Sequence, residues 1–283
     1  MTRFLHDQFA KDYLETLLEP FGKVESSRRV SGEAQQIDAW FEPSRENLSG
    51  LEALGVLGKM AKTPSIFEPH RNPVTPDEIC DCLLKWLLVK GESKRQARRN
   101  QTPFSLEKTP QLWILTPTAS VTVLSGFNAV SVPNELRGFY TLGNSLRTNI
   151  IILHQLPRIP ETLWLRVLGR DRVQREAIDE LENLTEENPF RQVALELLYT
   201  LRENLELKEE LELEERELIM RLAPLYQQKK EKLQQEAEQR GKTIAQREIA
   251  QKLFRQGMEI NQIAELTELS VEEIAKLNRD TAE

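Results

Sequence analysis

The sequence predicts a mixed α/β sheet flanked by helices, followed by an all-helical C-terminal extension. Three observations predict it. Strand-like runs at residues 23–30, 34–41 and up to Phe67 precede a strongly capped helix and then further apolar runs, the pattern of a meander followed by a crossover. From about Leu163 onward the pattern turns almost wholly helical. The composition, 29% charged, 39% hydrophobic and 6% aromatic over 283 residues, fits exposed helix better than a compact all-β chain.

Each element has a local cause. Residues 4–21 read as a helix because Phe9, Tyr13 and Leu17 recur at helical spacing, with Leu5 and Leu14 beside them and Pro20 and Gly22 at the end. His6 falls on that apolar face and reads as a core histidine hydrogen-bonded to a neighbour. Strands 23–30 and 34–41 are joined by Ser31-Gly32-Glu33, a short hairpin signal. Residues 48–60 form a helical insertion containing glycines, and Thr63-Pro64 introduces the third strand. In Thr75-Pro76-Asp77-Glu78, threonine sits at the cap, proline at the first helical position and glutamate three residues beyond the cap.

Ile79, Leu83, Trp86 and Leu87 give that helix its expected apolar stripe. It runs into Lys94-Arg95-Gln96-Ala97-Arg98-Arg99-Asn100, the densest basic cluster of the chain. Complementarity to the helix dipole accounts for the cluster, with a phosphate contact as the alternative. A buried strand is expected at 111–117, with further strand-like pieces near 138–142 and 149–156, where His154 reads as structural.

Four segments follow from this: an α/β core at 1–165, a helical extension at 166–225, a polar helical linker at 226–243 and a three-helix tail at 244–283. The extension holds helices at 170–184, 189–205 and 208–222, punctuated by Asn188-Pro189 and Ala223-Pro224. In the tail, Ser270 reads as a cap with Glu273 three residues on, and the tight turns are helix-turn-helix-like. Its last helix sets Glu272, Glu273 and Asp280 against Lys276 and Arg279. A recognition helix lies between phosphates, so self-association or partner binding fits that charge better than DNA reading.

The net charge of −7 argues against a chain-wide grip on nucleic acid. Cys80 and Cys82, spaced i, i+2 on a helix, cannot bridge, and a disulfide-free chain fits a reducing compartment. The N-terminus lacks a signal-peptide core and no run approaches membrane-spanning length, so a cytoplasmic protein is expected, without a membrane partner. Phosphate-cradling glycine loops, nucleophile elbows and zinc-ligand clusters are absent from the sequence.

What remains is a pair of carboxylates. Asp38 and Glu68 each sit inside an otherwise apolar strand, where a lone charge is costly unless paired or bound to a metal. Two on successive strands can meet at one divalent cation, which activates water and neutralises charge on a phosphate. His70 lies two residues beyond Glu68 and projects to the same side if the strand continues through Pro69. The alternative is structural pairing, of Asp38 with Arg28 or Arg29 and of Glu68 with Arg71. Lys85, on the following helix, could supply a cation to the pair, but it lies off the expected stripe and reads as solvated.

The order of elements, with Asp38 on the second strand and Glu68-Pro69-His70 on the third, resembles a PD-(D/E)XK nuclease core. More closely, the chain resembles the bacterial recombination-promoting nuclease and transposase-related family. The opening His6-Asp7-Gln8-Phe9-Ala10-Lys11, the segment Leu112–Ser120 and the tail segments Gly257–Ala264 and Leu269–Ile274 carry that likeness. The resemblance implies a restriction-endonuclease-like fold and an Mg²⁺-dependent DNA endonuclease, with Asp38 and Glu68 as metal ligands. It places His70 where the family has lysine or glutamine. Because that lysine is absent, the alternative is a catalytically silent relative that acts as a homo-oligomer or partner-binding protein through its helical C-terminal half.

Overall fold

The N-terminal helix α1 (Thr2–Leu18) forms where the apolar spacing requires it, and it buries Phe9, Tyr13, Leu14, Leu17 and Leu18. The computed structural model describes residues 2–30, 35–44, 48–132 and 136–273. The expected turn Ser31-Gly32-Glu33 lies outside them, as does the last part of the tail beyond Glu273. After α1 come strands β1 (Gly22–Val30) and β2 (Gln35–Pro43), helix α2 (Gly55–Met60), strand β3 (Ser65–Pro69), helix α3 (Pro76–Arg99) and strand β4 (Gln111–Thr116). Helix α4 (Val121–Gly126), strands β5 (Val130–Ser131), β6 (Phe139–Thr141) and β7 (Thr148–Ile152) and helices α5 (Leu163–Arg166), α6 (Asp171–Glu182), α7 (Arg191–Glu206), α8 (Leu213–Arg255) and α9 (Ile260–Thr267) complete the order.

The strands form one seven-stranded mixed sheet in the order β1-β2-β3-β4-β7-β6-β5. β1, β2 and β3 are antiparallel neighbours, whereas β3, β4 and β7 run parallel. A parallel step needs a long crossover, and α3 supplies the one between β3 and β4. The parallel strands read as near-continuous apolar runs because both their faces are covered, and every residue of β7 is buried.

The start of α3 is fixed as its sequence predicts. Thr75 Oγ1 accepts from the Glu78 N–H at 3.3 Å, and Glu78 Oε2 accepts from the Thr75 N–H at 3.0 Å. The buried face of α3 is Ile79, Cys82, Trp86 and Val89, not the expected stripe through Leu87, which is exposed. Trp86 explains the difference. Its indole N–H donates to the Pro110 carbonyl at 2.8 Å while the ring packs among Ile66, Leu112 and Ile114, and this sets the rotation of the whole helix. Trp86→Ala is expected to destabilise the chain by about 3–5 kcal/mol, read as a lowered urea midpoint. A loss below about 1 kcal/mol would mean the indole does not fix the helix.

Two compact units are found, Met1–Leu222 and Ala223–Glu283. The boundary falls at the Ala223-Pro224 pair, but the helix does not stop there, since α8 runs through Pro224 from Leu213 to Arg255. Proline removes one N–H donor, and neighbouring turns can carry the helix past that gap. Two further expectations differ in detail. The strand expected to reach Leu156 ends at Ile152 and tightens into a 3₁₀ turn carrying His154. The first tail helix is the end of α8 rather than a separate element.

The second unit closes its own small core on Ala250, Ile263 and Leu269. Gly257, at φ 83°, ends α8 in the left-handed conformation that favours glycine, and Met258 N–H bonds back to the Leu253 carbonyl at 3.2 Å. Ser270 caps the next turn, with its Oγ accepting from the Glu273 N–H at 3.2 Å. No helix among the described residues is long and apolar enough to cross a membrane.

Candidate functional site

The register of the sheet brings the two carboxylates together. β2 pairs with β3 at Ala39↔Phe67 and Trp40↔Ile66, and one further step along that ladder sets Asp38 opposite Glu68. Directly opposed residues of an antiparallel pair project to the same face. Both side chains, with His70, line one cavity of about 330 Å³ that also takes in Asp7, Glu78, Asp81, Cys82 and Lys85.

Each carboxylate meets a lysine from a different helix. Lys11 of α1 reaches Asp38 at 2.9 Å, and Lys85 of α3 reaches Glu68 Oε2 at 2.7 Å. The arginine pairings weighed from the sequence do not account for Glu68, because Arg71 bonds Glu214 and the Gly169 carbonyl instead. The side chains of Arg28 and Arg29 lie outside what is described. Lys85 is not solvated as expected; its side chain is 16% exposed. With the buried stripe rotated toward Cys82 and Val89, Lys85 flanks it, on the side of Glu78 and Asp81.

Glu68 is held where its charge is disfavoured. It is 1% exposed, and its Oε1 is buried without a hydrogen-bond partner among the described residues. Burial, then the adjacent Asp38 charge, push its carboxyl up to about 8, against the pull of Lys85. His70 stands just past β3, with its N–H donating to the Leu115 carbonyl at 2.7 Å and its Nε2 3.6 Å from the Cys82 sulfur. The Cys82 thiol is pushed well up, chiefly by burial, so it is a packing group rather than a thiolate. Cys80 is exposed and free.

No three metal-ligating side chains converge closely enough among the described residues to cage an ion on their own. A hard divalent cation such as Mg²⁺ needs no such cage, because it is commonly held by one or two carboxylates and keeps its waters. The unpartnered Oε1 of Glu68 beside Asp38 fits that donor set. The other histidines do not join the site. His6 is buried beside Glu215 at 3.5 Å and is held neutral, lowered to about 3 by burial first and then by Arg71. The expectation of a core histidine therefore holds in placement, although its Nε2 makes no hydrogen bond among the described residues.

Asp38, Glu68 and His70, singled out in the sequence, line this one cavity together with Lys85, which the sequence alone reads as solvated, while Lys11 at Asp38 was not anticipated. The signal for Lys85 was its i+3 spacing from Cys82 and i−1 from Trp86, which places it beside a stripe centred on those two. Comparison with known families finds a match in the tail. Residues 243–279 fit the description "Rpn/YhgA-like nuclease family, C-terminal HTH domain". That segment takes in the end of α8, α9 and the Ser270 cap. No curated protein and no solved structure matches the chain.

Proposed function

We propose that this chain, which carries the C-terminal domain of the Rpn/YhgA-like nuclease family, is a metal-dependent DNA endonuclease of the PD-(D/E)XK type. The observation that carries the reading is the convergence of Asp38, Glu68 and Lys85 in one cavity. Two carboxylates can hold a hard cation for phosphodiester hydrolysis, and a nearby lysine can stabilise the charge that develops. Lys85 of α3, in contact with Glu68, would stand in for the lysine absent at position 70.

Asp38 and Glu68 would hold Mg²⁺, which when bound acidifies a water and neutralises phosphate charge. Lys85 Nζ, already 2.7 Å from Glu68, is positioned to stabilise the charge that develops on the phosphate oxygens. His70, in the same cavity, is the group able to pass a proton to the leaving oxygen. Asp7, Glu78 and Asp81 make the cavity acidic, so it attracts a cation first and a phosphate only after that charge is met. The helix-turn-helix match of the tail supports DNA as the polymer, and Arg247, Lys252 and Arg255 give the end of α8 exposed cations for phosphate contacts.

The test is cleavage of supercoiled and linear DNA with Mg²⁺ or Mn²⁺. Asp38→Ala and Glu68→Ala are each expected to lower the rate by at least about 10²-fold, with circular dichroism unchanged. If the native chain fails to cleave, or both variants cleave at its rate, the catalytic reading fails. The silent-relative reading, a protein acting through partners, then stands in its place.

A further inference from the structure

The buried stripe of α3 leaves an outer face that is not polar. At i, i+4, i+7 and i+11 that face carries Cys80, Leu84, Leu87 and Gly91, with Leu84 42% and Leu87 47% exposed. Two exposed leucines in the middle of a surface helix leave apolar area in water that a partner would cover. At Gly91 an added Cβ would meet only an Arg95 nitrogen at 3.5 Å, so the backbone there is open to close approach.

The charge on the helix says what covers it. On or flanking that face Asp77 and Asp81 lie in the first turns and Lys94, Arg95 and Arg98 in the last ones, where Glu92 is the one acid among them. A parallel copy would set like charges against like, whereas an antiparallel copy sets each acidic end against a basic one. The geometry points to self-association: we propose that two copies of this chain pair antiparallel through the outer face of α3, about a two-fold axis between Lys85 and Trp86.

The register follows from the sequence. With that midpoint Leu84 lies level with Leu87 of the second copy, and Cys80 lies level with Gly91 of the second copy. Asp77 then falls near Lys94 and Arg95 of the second copy. Every contact occurs twice, as an isologous interface requires. The axis also keeps the flank bearing Asp81 and Lys85 on one side of the contact in both copies, so the two cavities share that side. The surface is distinct from the C-terminal half that the sequence offered for oligomerisation, and the pairing does not depend on the chemistry of the cavity.

Cross-linking of the full chain tests the register and light scattering tests the pair. The native chain is expected at twice the chain mass, and Leu84→Glu/Leu87→Glu at the single mass with unchanged circular dichroism. Gly91→Cys, mildly oxidised, is expected to migrate as a covalent dimer on a non-reducing gel, and adding Cys80→Ser should abolish that band. In the proposed register Cys80 lies roughly 16 Å along the helix from its own equivalent, so the native chain does not cross-link through it. A monomeric native chain, a double-glutamate variant that stays dimeric, or a Gly91→Cys link that survives loss of Cys80 overturns the proposal. A native link through Cys80 means parallel pairing and overturns it as well.

Discussion

The native chain is expected to lose stability between pH 4.5 and pH 8, and Glu68→Gln is expected to flatten that fall. The Glu68 carboxyl titrates at 4.5 in its ordinary state and at about 8 in the fold. Below pH 4.5 both folded and unfolded chains hold the proton, and the favourable contribution is fully present. As pH rises, the unfolded chain releases its proton first, so unfolding gains and stability is lost until the folded carboxyl ionises near 8. Over that span the loss reaches up to about 5 kcal/mol. Glutamine has no proton to release, so the urea midpoint of the variant should stay nearly level. A native midpoint that does not fall, or a variant that falls as steeply, would show that Glu68 is not held protonated by its surroundings.

The same proton bears on metal binding. At neutral pH the site starts with Glu68 mostly protonated, and a cation that takes both carboxylates must displace that proton. Affinity for Mg²⁺ should therefore rise toward pH 8. Without the ion Lys11 pairs with Asp38 and Lys85 bonds Glu68, and on the proposed reading both lysines would be freed to face phosphate once a cation takes the two carboxylates. If the proposed metal site is right, the cost of burying Glu68 belongs to that site rather than to the fold alone.

How much of this was legible in the sequence depends on the range of the cause. Local causes were readable, because the Thr75 capping box, the Ser270 cap and the α1 stripe are decided within a few residues. The mixed sheet was readable from element order, since a meander followed by a crossover helix restricts the topologies. The pairing of Asp38 with Glu68 was readable only as an expectation, for it depends on a register that no single strand encodes. Lys85 was lost to a rotation of α3. Leu83 and Leu87 look as apolar as Cys82 and Val89 do, and only the tertiary contact of Trp86 with Pro110 decides between the two stripes. Pro224 misled for a similar reason, since proline at that position weakens a helix without ending it.

Lys85 offers the sharpest separation of cation binding from catalysis. Lys85→Met is expected to reduce DNA cleavage by about 10²–10³-fold, the usual loss when one preorganised donor to developing charge is removed. Mn²⁺ binding should survive, because Asp38 and Glu68 both remain and the ammonium no longer competes with the ion for Glu68 Oε2. Asp38→Asn should behave differently and lose binding and cleavage together. Lys85→Arg keeps the charge but replaces a compact ammonium with a planar fork in a space fitted at 2.7 Å, so only partial recovery is expected. Titration of Mn²⁺ alongside single-turnover cleavage distinguishes these cases. If Lys85→Met cleaves like the native chain, the lysine from α3 is only a counter-ion to Glu68, and the charge that stabilises the reacting phosphate must come from the metal alone.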